Sequence, residues 1–229
     1  MKTTNVKPSQ LNYDHYSLNK YDRDIVNSIP HHLEIHYNIL NYAKKAFVNK
    51  NIKMLDLGVG TGLTSKLIKD VLPNSKLTVV DFSRQMINSA KKKLGKNVKY
   101  VYGDYSKIKF DIKYDLIVSV IGIHHQNTAG KKKLFKKIYS LLKSGGVFIF
   151  GDLVTYQDKH TAALNNALHF HHLVENATDK KTLTEWAYHH MFLNDLAPIE
   201  DQIKWLKNVG FKVELKFLRT NTALIVCKK

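Results

Sequence analysis

A strand that runs straight into three glycines spaced two apart leaves a chain few ways to fold. Residues 54–62 read MLDLGVGTG, an apolar run followed by Gly58, Gly60 and Gly62, and the next residues, LTSKLIKDVL, have the spacing of a helix. This is a strand–turn–helix junction, the first crossover of a parallel α/β sheet. Glycines at such a turn let backbone N–H groups and a helix N-terminus approach a ligand closely. The spacing also narrows the ligand. A dinucleotide fingerprint, G-x-G-x-x-G, needs glycine at 63, where this chain has Leu63. Asp56 stands just before the first glycine, where it would repel an anionic pyrophosphate and suit a cation or an amino group. Asp56 is therefore expected to face the ligand.

Further strands follow in order. LTVVD ends in Asp81, about 20 residues past the glycine turn, where such sheets carry a ribose-binding acid. VKYVYGD ends in Gly103 and Asp104, and YDLIVSVIGIHH is a fourth strand that runs into His124 and His125. LLKSGGVFIFGD reads as a helix end and a fifth strand, joined by a Gly-Gly turn and ending at Asp152. GFKVELKF and NTALIVCKK read as two final strands.

Taken together, these motifs resemble the class I S-adenosylmethionine-dependent methyltransferases, closely over residues 50–155 and more loosely over 200–229. The resemblance implies an α/β fold with a Rossmann-like, seven-stranded, mostly parallel sheet, an antiparallel C-terminal hairpin and helices on both faces. It implies S-adenosyl-L-methionine as cofactor, whose α-ammonium and sulfonium suit Asp56. The matching positions are Asp56, Gly58, Gly60 and Gly62 at the glycine turn and Asp81 on the ribose hydroxyls. Phe82 and Met86 would lie along the adenine, Gly103 and Asp104 beside its amino group, and Tyr105 and Ser119 complete the cofactor set.

At 229 residues the chain suits one α/β domain with an elaboration. The expected parts are cap helices over 1–48, a cofactor-binding core over 49–152, a helical lid over 153–200, and a helix and hairpin over 201–229. The single Cys227 excludes an internal disulfide and fits a reducing, cytoplasmic setting. No window approaches the roughly 18 apolar residues of a membrane span, and MKTTNVKPSQ has no apolar signal core. The net charge of +17 comes almost wholly from lysine, with arginine only at Arg23, Arg84 and Arg219. Arginine is the residue favoured for bidentate phosphate and base contacts, so nucleic acid is not the expected partner. KKKLFKK at 131–137 reads as a solvated helix face. A small-molecule acceptor and a monomer or homodimer are expected.

Residues 1–28 are polar and tyrosine-rich and should end as a short helix, and a second helix should begin near Pro30. The segment 153–200 is helical in composition and leaves from the tip of the fifth strand. Ligands in open α/β sheets bind at the carboxyl ends of strands, so this segment and the N-terminal helices would cover the pocket. Methyl transfer from a sulfonium is an in-line displacement with an already activated donor, and the protein must mainly align the acceptor and exclude water. A base is needed only for a protonated acceptor. His124, just past the fourth strand, is the leading candidate, with His171 in the insertion and Tyr21 (or Tyr16) near the sulfonium. The insertion also holds His160, His169, His172, His189 and His190. They read as pocket lining with one base, as packing, or, at His169 and His172, as a two-ligand metal pair. No zinc signature is matched and no metal is expected. Asp152 would hold an acceptor amine, order the lid or cap a helix.

The stretch YDRDIVNSIPHHLEIH and the long insertion also resemble the enzymes that make carboxy-S-adenosylmethionine for tRNA wobble-uridine modification. Those enzymes hold the extra carboxylate with an arginine in the helix before the final hairpin. The matching helix here, EDQIKWLKNVGF, has none, and Trp205 falls near that place. His31 and His32 follow Ser28-Ile29-Pro30 where that group carries a tyrosine. The expectation is methyl transfer to a small molecule, with the carboxylating synthase and a non-catalytic cofactor binder as alternatives.

Overall fold

The computed structural model describes residues 18–48 and 50–229, with side chains from Tyr21 onward. The apolar runs become β1 (Lys53–Leu57), β2 (Lys76–Asp81), β3 (Val98–Tyr102), β4 (Tyr114–Val120) and β5 (Leu142–Leu153), all parallel. The C-terminal runs become β6 (Lys212–Arg219) and β7 (Thr222–Lys228), and the sheet order is β3-β2-β1-β4-β5-β7-β6. β7 runs antiparallel to both of its neighbours. Parallel strands covered on both faces read as continuous apolar runs rather than alternating ones, as LTVVD and VFIFGD do.

The pleat divides those runs between two cores. Met54, Val79, Leu116, Val118, Ile149 and Val226 face one side. There they meet Ile35 and Ile39 of α2 (His32–Phe47), Ile68 of α3 (Leu63–Val71) and Ile87 of α4 (Arg84–Leu94). Leu55, Leu57, Ile117, Phe148, Phe150 and Ile225 face the other. They meet Phe135 and Ile138 of α5 (Thr128–Leu141) and Leu206 of α8 (Ile199–Val209). Gly151 lets α2 lie against β5: a Cβ built there would come within 2.2 Å of Ile35 Cγ2.

Two features differ from the sequence expectation. Gly145 and Gly146 lie inside β5, where the register with β4 shifts between Tyr114 and Leu116, so the Gly-Gly pair makes an irregularity in a strand rather than a helix–strand turn. The KKKLFKK segment is not uniformly solvated. Lys131 is buried and donates from Nζ to the carbonyls of Gln126 and Asp195, and Lys137 Nζ donates to the carbonyls of Tyr105 (2.7 Å) and Ile108. Loop carbonyls with no strand partner demanded donors, and these two lysines supply them.

The remaining helices gather at the carboxyl ends of β1, β4 and β5. α1 (Leu18–Ser28) contacts α2 and α6 (Lys159–Asn176), and α6 contacts α7 (Lys180–Tyr188), which continues into a π turn at His189–Leu193. Asp158 caps α6 by accepting from Thr161 N–H at 2.8 Å, and Asp179 caps α7 through Thr182 N–H at 2.8 Å. Among the described residues no helix is long and apolar enough to cross a membrane.

Candidate active site

The strand order reverses between β1 and β4, and ligand crevices in such sheets form at that switch point. Here the tip of β1 enters the glycine turn, and the tip of β4 enters a loop from Ile121 to a 3₁₀ turn at Ile123–His125. Between them lies a cavity of about 220 Å³ walled by Gly58, Gly60, Asp81, Phe82, Met86, Asp104 and Tyr105. Gly60, at φ +53°, turns its N–H onto Asp81 Oδ2 at 2.9 Å, and Ser83 N–H donates to Oδ1 at 2.9 Å. Burial pushes the Asp81 carboxyl up from its ordinary value, and these backbone bonds pull it back. Each carboxylate oxygen retains acceptor capacity toward the cavity. Asp104 Oδ1 accepts from Ser106 N–H (2.8 Å) and Oγ–H (2.6 Å). Tyr105 donates from its hydroxyl to Gly122 O at 3.0 Å.

Four of the expected residues stand behind this wall. Asp56, expected from the sequence to face the ligand, is buried and does not line this cavity. Strand alternation puts it on the same face as Met54, under α3, where its Oδ2 accepts from Ser65 Oγ–H at 2.6 Å. Burial pushes its carboxyl up to about 7. Gly62, at φ +92°, caps α3 and packs on Ala90 and Leu94. Gly103 N–H donates to Asp81 O at 2.8 Å, and Ser119 Oγ–H to Leu57 O at 2.8 Å, so both hold strand tips in place.

The cavity is roofed by α1 and α2. Asp22 accepts from Thr61 Oγ–H at 2.5 Å and from Lys93 Nζ at 2.9 Å, tying α1 to the glycine turn and α4. His32 and His36 line the wall with their Nε2 atoms 3.4 Å apart, and His36 Nδ1 lies 3.3 Å from Thr64 Oγ1. Burial pushes the two rings down to about 3 and about 4 respectively, so both are neutral at pH 7. Sequence reasoning missed this pair, although its i,i+4 spacing on α2 was a usable signal.

A second cavity of about 80 Å³ adjoins the first and shares Tyr21, Ile25, Ile121 and His125 with it. Its other walls include His124, His169, Leu173, Trp186, His189 and His190. Ile121 sits at φ +50°, a costly place for a β-branched residue, with its N–H bonded to Gly151 O at 2.8 Å. Asp152, at the tip of β5, accepts three hydrogen bonds. They come from His124 Nδ1 (2.5 Å) and Leu153 N–H (2.9 Å) on Oδ1, and from His124 N–H (2.9 Å) on Oδ2. His125 Nδ1 lies 3.1 Å from Leu193 O. Tyr21 borders both cavities, and Tyr16 lies outside the described residues. His171 does not belong to the site. It is 72% exposed, lies 3.8 Å from Glu175 and borders neither cavity, because His169 and Leu173 form the inward face of α6.

Residues 54–146 match the family described as a methyltransferase domain. The malonyl-[acyl-carrier protein] O-methyltransferase of Priestia megaterium is 31% identical over 152 residues, which cover 65% of this chain and 50% of that one. This chain thus spans about half the length, or less, of the O-methyltransferases it matches. The carboxy-S-adenosyl-L-methionine synthase of Nautilia profundicola is 25% identical over 231 residues, 96% of this chain and 95% of that one. In fold, the chain is similar to the N-methyltransferase NodS from Bradyrhizobium japonicum, solved with S-adenosyl-L-homocysteine. The TM-score is 0.59 at 15% identity, over 87% of this chain and 88% of that one. By its strand order, its glycine turn and these relatives, the chain is similar to the class I S-adenosylmethionine-dependent methyltransferases, and the match to the methyltransferase-domain family lies in residues 54–146.

Proposed function

We propose that the chain transfers the methyl group of S-adenosyl-L-methionine to a small-molecule acceptor held in the second cavity. The adjoining of the two cavities carries this proposal. One has the acids and glycines of a nucleoside site, and the other, across Tyr21 and Ile121, has apolar walls and neutral imidazoles. The bound cofactor supplies an electrophilic methyl on a sulfonium. Asp81 accepts from the ribose hydroxyls, Phe82 and Met86 flank the adenine, and Asp104 accepts from its amino group. Gly58 and Gly60, which carry no side chain, let the rest lie close to the backbone of the turn. α1, α6 and Trp186 keep water from the acceptor, which lets alignment do most of the work. With Nδ1 of His124 held by Asp152, the lone pair on its other nitrogen accepts the proton of a hydroxyl, amine or thiol acceptor.

A carboxylated donor is the second reading, favoured by the relative that matches 96% of this chain. It would need the arginine with which those enzymes hold the extra carboxylate; here the first cavity's wall carries the cation Lys107, 3.4 Å from Asp104. Among the described residues no arginine borders either cavity, and Trp205 on α8 sits beneath Lys132, whose Nζ is 4.9 Å from its ring. The absence of that arginine supports the plain methyl donor.

Calorimetry tests the cofactor assignment. S-adenosyl-L-homocysteine should bind, and Asp81→Ala should weaken it by about 1.5–3 kcal/mol, the range for hydrogen bonds to a charged group. Binding of NADH with none of either sulfur nucleoside would overturn the proposal. Cell extract incubated with methyl-labelled donor should then yield a labelled metabolite, whereas a carboxylated nucleoside on the purified protein would favour the second reading.

A further inference from the structure

We infer that His124, His125 and His189 form a binding site for a divalent transition-metal ion on the wall of the second cavity. One ring nitrogen from each lies within 4.8 Å of the other two. Three imidazoles on a tetrahedral ion at metal–nitrogen distances of roughly 2.0–2.1 Å sit with their nitrogens roughly 3.3 Å apart, so modest ring rotations close the site. The rings are already oriented as metal-bound imidazoles are. His124 turns Nδ1 to a carboxylate and His125 turns Nδ1 to a backbone carbonyl. Such bonds fix the tautomer and leave the opposite nitrogen, Nε2, with its lone pair free. His189 opens the π turn, a helix irregularity that often marks a functional position.

Neighbouring groups set the limits of the site. His169 has both ring nitrogens occupied, by Ser28 O at 3.1 Å and Asn221 at 2.6 Å, and is not a fourth ligand, and His190, bonded through Nε2 to Asn166 at 2.9 Å, lies outside the three-residue cluster. The fourth position opens on the cavity, the arrangement of a catalytic rather than a structural ion. Imidazole donors suit zinc, iron, nickel, cobalt or copper and not magnesium or calcium.

This inference rests on the second cavity being the acceptor site, and it changes how the acceptor is activated there. An oxygen, nitrogen or sulfur of the acceptor takes the fourth position, and the ion lowers its pKa so that it binds deprotonated, its proton left in bulk solvent on entry. The deprotonated atom then bonds to the methyl carbon as the carbon–sulfur bond breaks and its electron pair returns to sulfur. The His124 lone pair is used by the ion in this state. Without the ion, His124 takes the proton itself.

Cobalt titration of the full chain, stripped with a chelator, tests the site without any acceptor. Wild type should give the intense visible bands of tetrahedral Co²⁺ and saturate at one equivalent. Asp152→Asn should weaken binding about 10–100-fold, as loss of a group that orients a ligand does, and His189→Ala should abolish the bands. Should His189→Ala not fold, His125→Gln carries the same expectation. The exposed His171→Ala should bind as wild type does. Bands that are weak and octahedral, or that survive both ligand variants, overturn the site. S-adenosyl-L-homocysteine binding, measured on the same samples, reports separately on the methyltransferase proposal: nucleoside binding without tetrahedral cobalt removes the metal alone.

Discussion

Replacing His169 by glutamine should flatten the acid side of the stability curve. The ring is 1% exposed, accepts from Asn221 Nδ2 and lies 3.1 Å from Ser28 O, and burial pushes it down to about 3. In the unfolded chain it titrates at the ordinary value of about 6.5. Between these two values the unfolded state binds a proton that the folded state refuses, so stability rises with pH through that window and is lost as pH falls below about 6.5. At about pH 5 the ring lies some 1.5 units below its unfolded pKa, which at 1.36 kcal/mol per unit costs about 2 kcal/mol. Glutamine offers a similar polar reach and does not titrate. The wild-type curve alone would not isolate this effect. The buried carboxyl of Asp56, raised to about 7, and that of Asp81, also raised, act in the opposite sense, favouring the fold as pH falls. They are common to both proteins and cancel in the comparison. Urea unfolding at about pH 7.5 and about pH 5 should therefore show the wild type losing about 2 kcal/mol more than His169→Gln does. Equal losses would mean that the folded protein protonates this ring freely, and that its burial against Ser28 and Asn221 does not exclude the charged form.

Two further outcomes follow from single contacts. Asp152→Asn places an amide N–H₂ against a carboxylate site that receives only donors, so one donor on His124 or Leu153 loses its partner. Urea unfolding should show a loss of about 1–3 kcal/mol, and calorimetry should show unchanged S-adenosyl-L-homocysteine affinity, because Asp152 borders neither cavity. Gly151→Ala drives a methyl into Ile35 and should cost about 1–3 kcal/mol as overpacking does. Ile35→Ala in the same chain should recover part of that, and strict additivity in the double-mutant cycle would count against the contact.

The strand tips were legible in the sequence because their constraints are local. Gly60 needs a positive φ to reach Asp81, and that demand appears as a glycine wherever the chain is read. Side-chain direction was less legible. Asp56 was placed toward the ligand from its neighbourhood in sequence, yet the pleat and the seat of α3 turn it onto Ser65. On α6 the histidines at 169, 171 and 172 offered no way to tell the inward face, because apolar residues lie on both sides. Leu173 is buried, while Leu164, Leu168 and Phe170 are exposed. The helix therefore had weak amphipathic order, and His171 was chosen where His169 was the inward residue. The Asp152–His124 contact joins residues 28 apart through the β4–β5 pairing, which no local pattern announces.

The histidines of the second cavity come from separate elements, yet they share a physical logic. A nucleophile must approach a sulfonium, so the wall around it has to offer lone pairs without adding positive charge. Lysines there would repel the donor, and carboxylates buried without partners would be driven toward their protonated form. Imidazole pays little for burial because it can stay neutral, and burial holds His125 and His189 in that form. The nearest charged partners are kept to the outside of the ring cluster. Asp152 meets His124 on the side of Nδ1, and Lys131 is occupied by the carbonyls of Gln126, Asp195 and His124. On the proposed reading, what faces the acceptor is a set of ring lone pairs, competent to take a proton or to hold an ion that replaces it. On the same reading, α6 and α7 on the wall of that cavity limit the water that would stabilise imidazolium and remove those lone pairs.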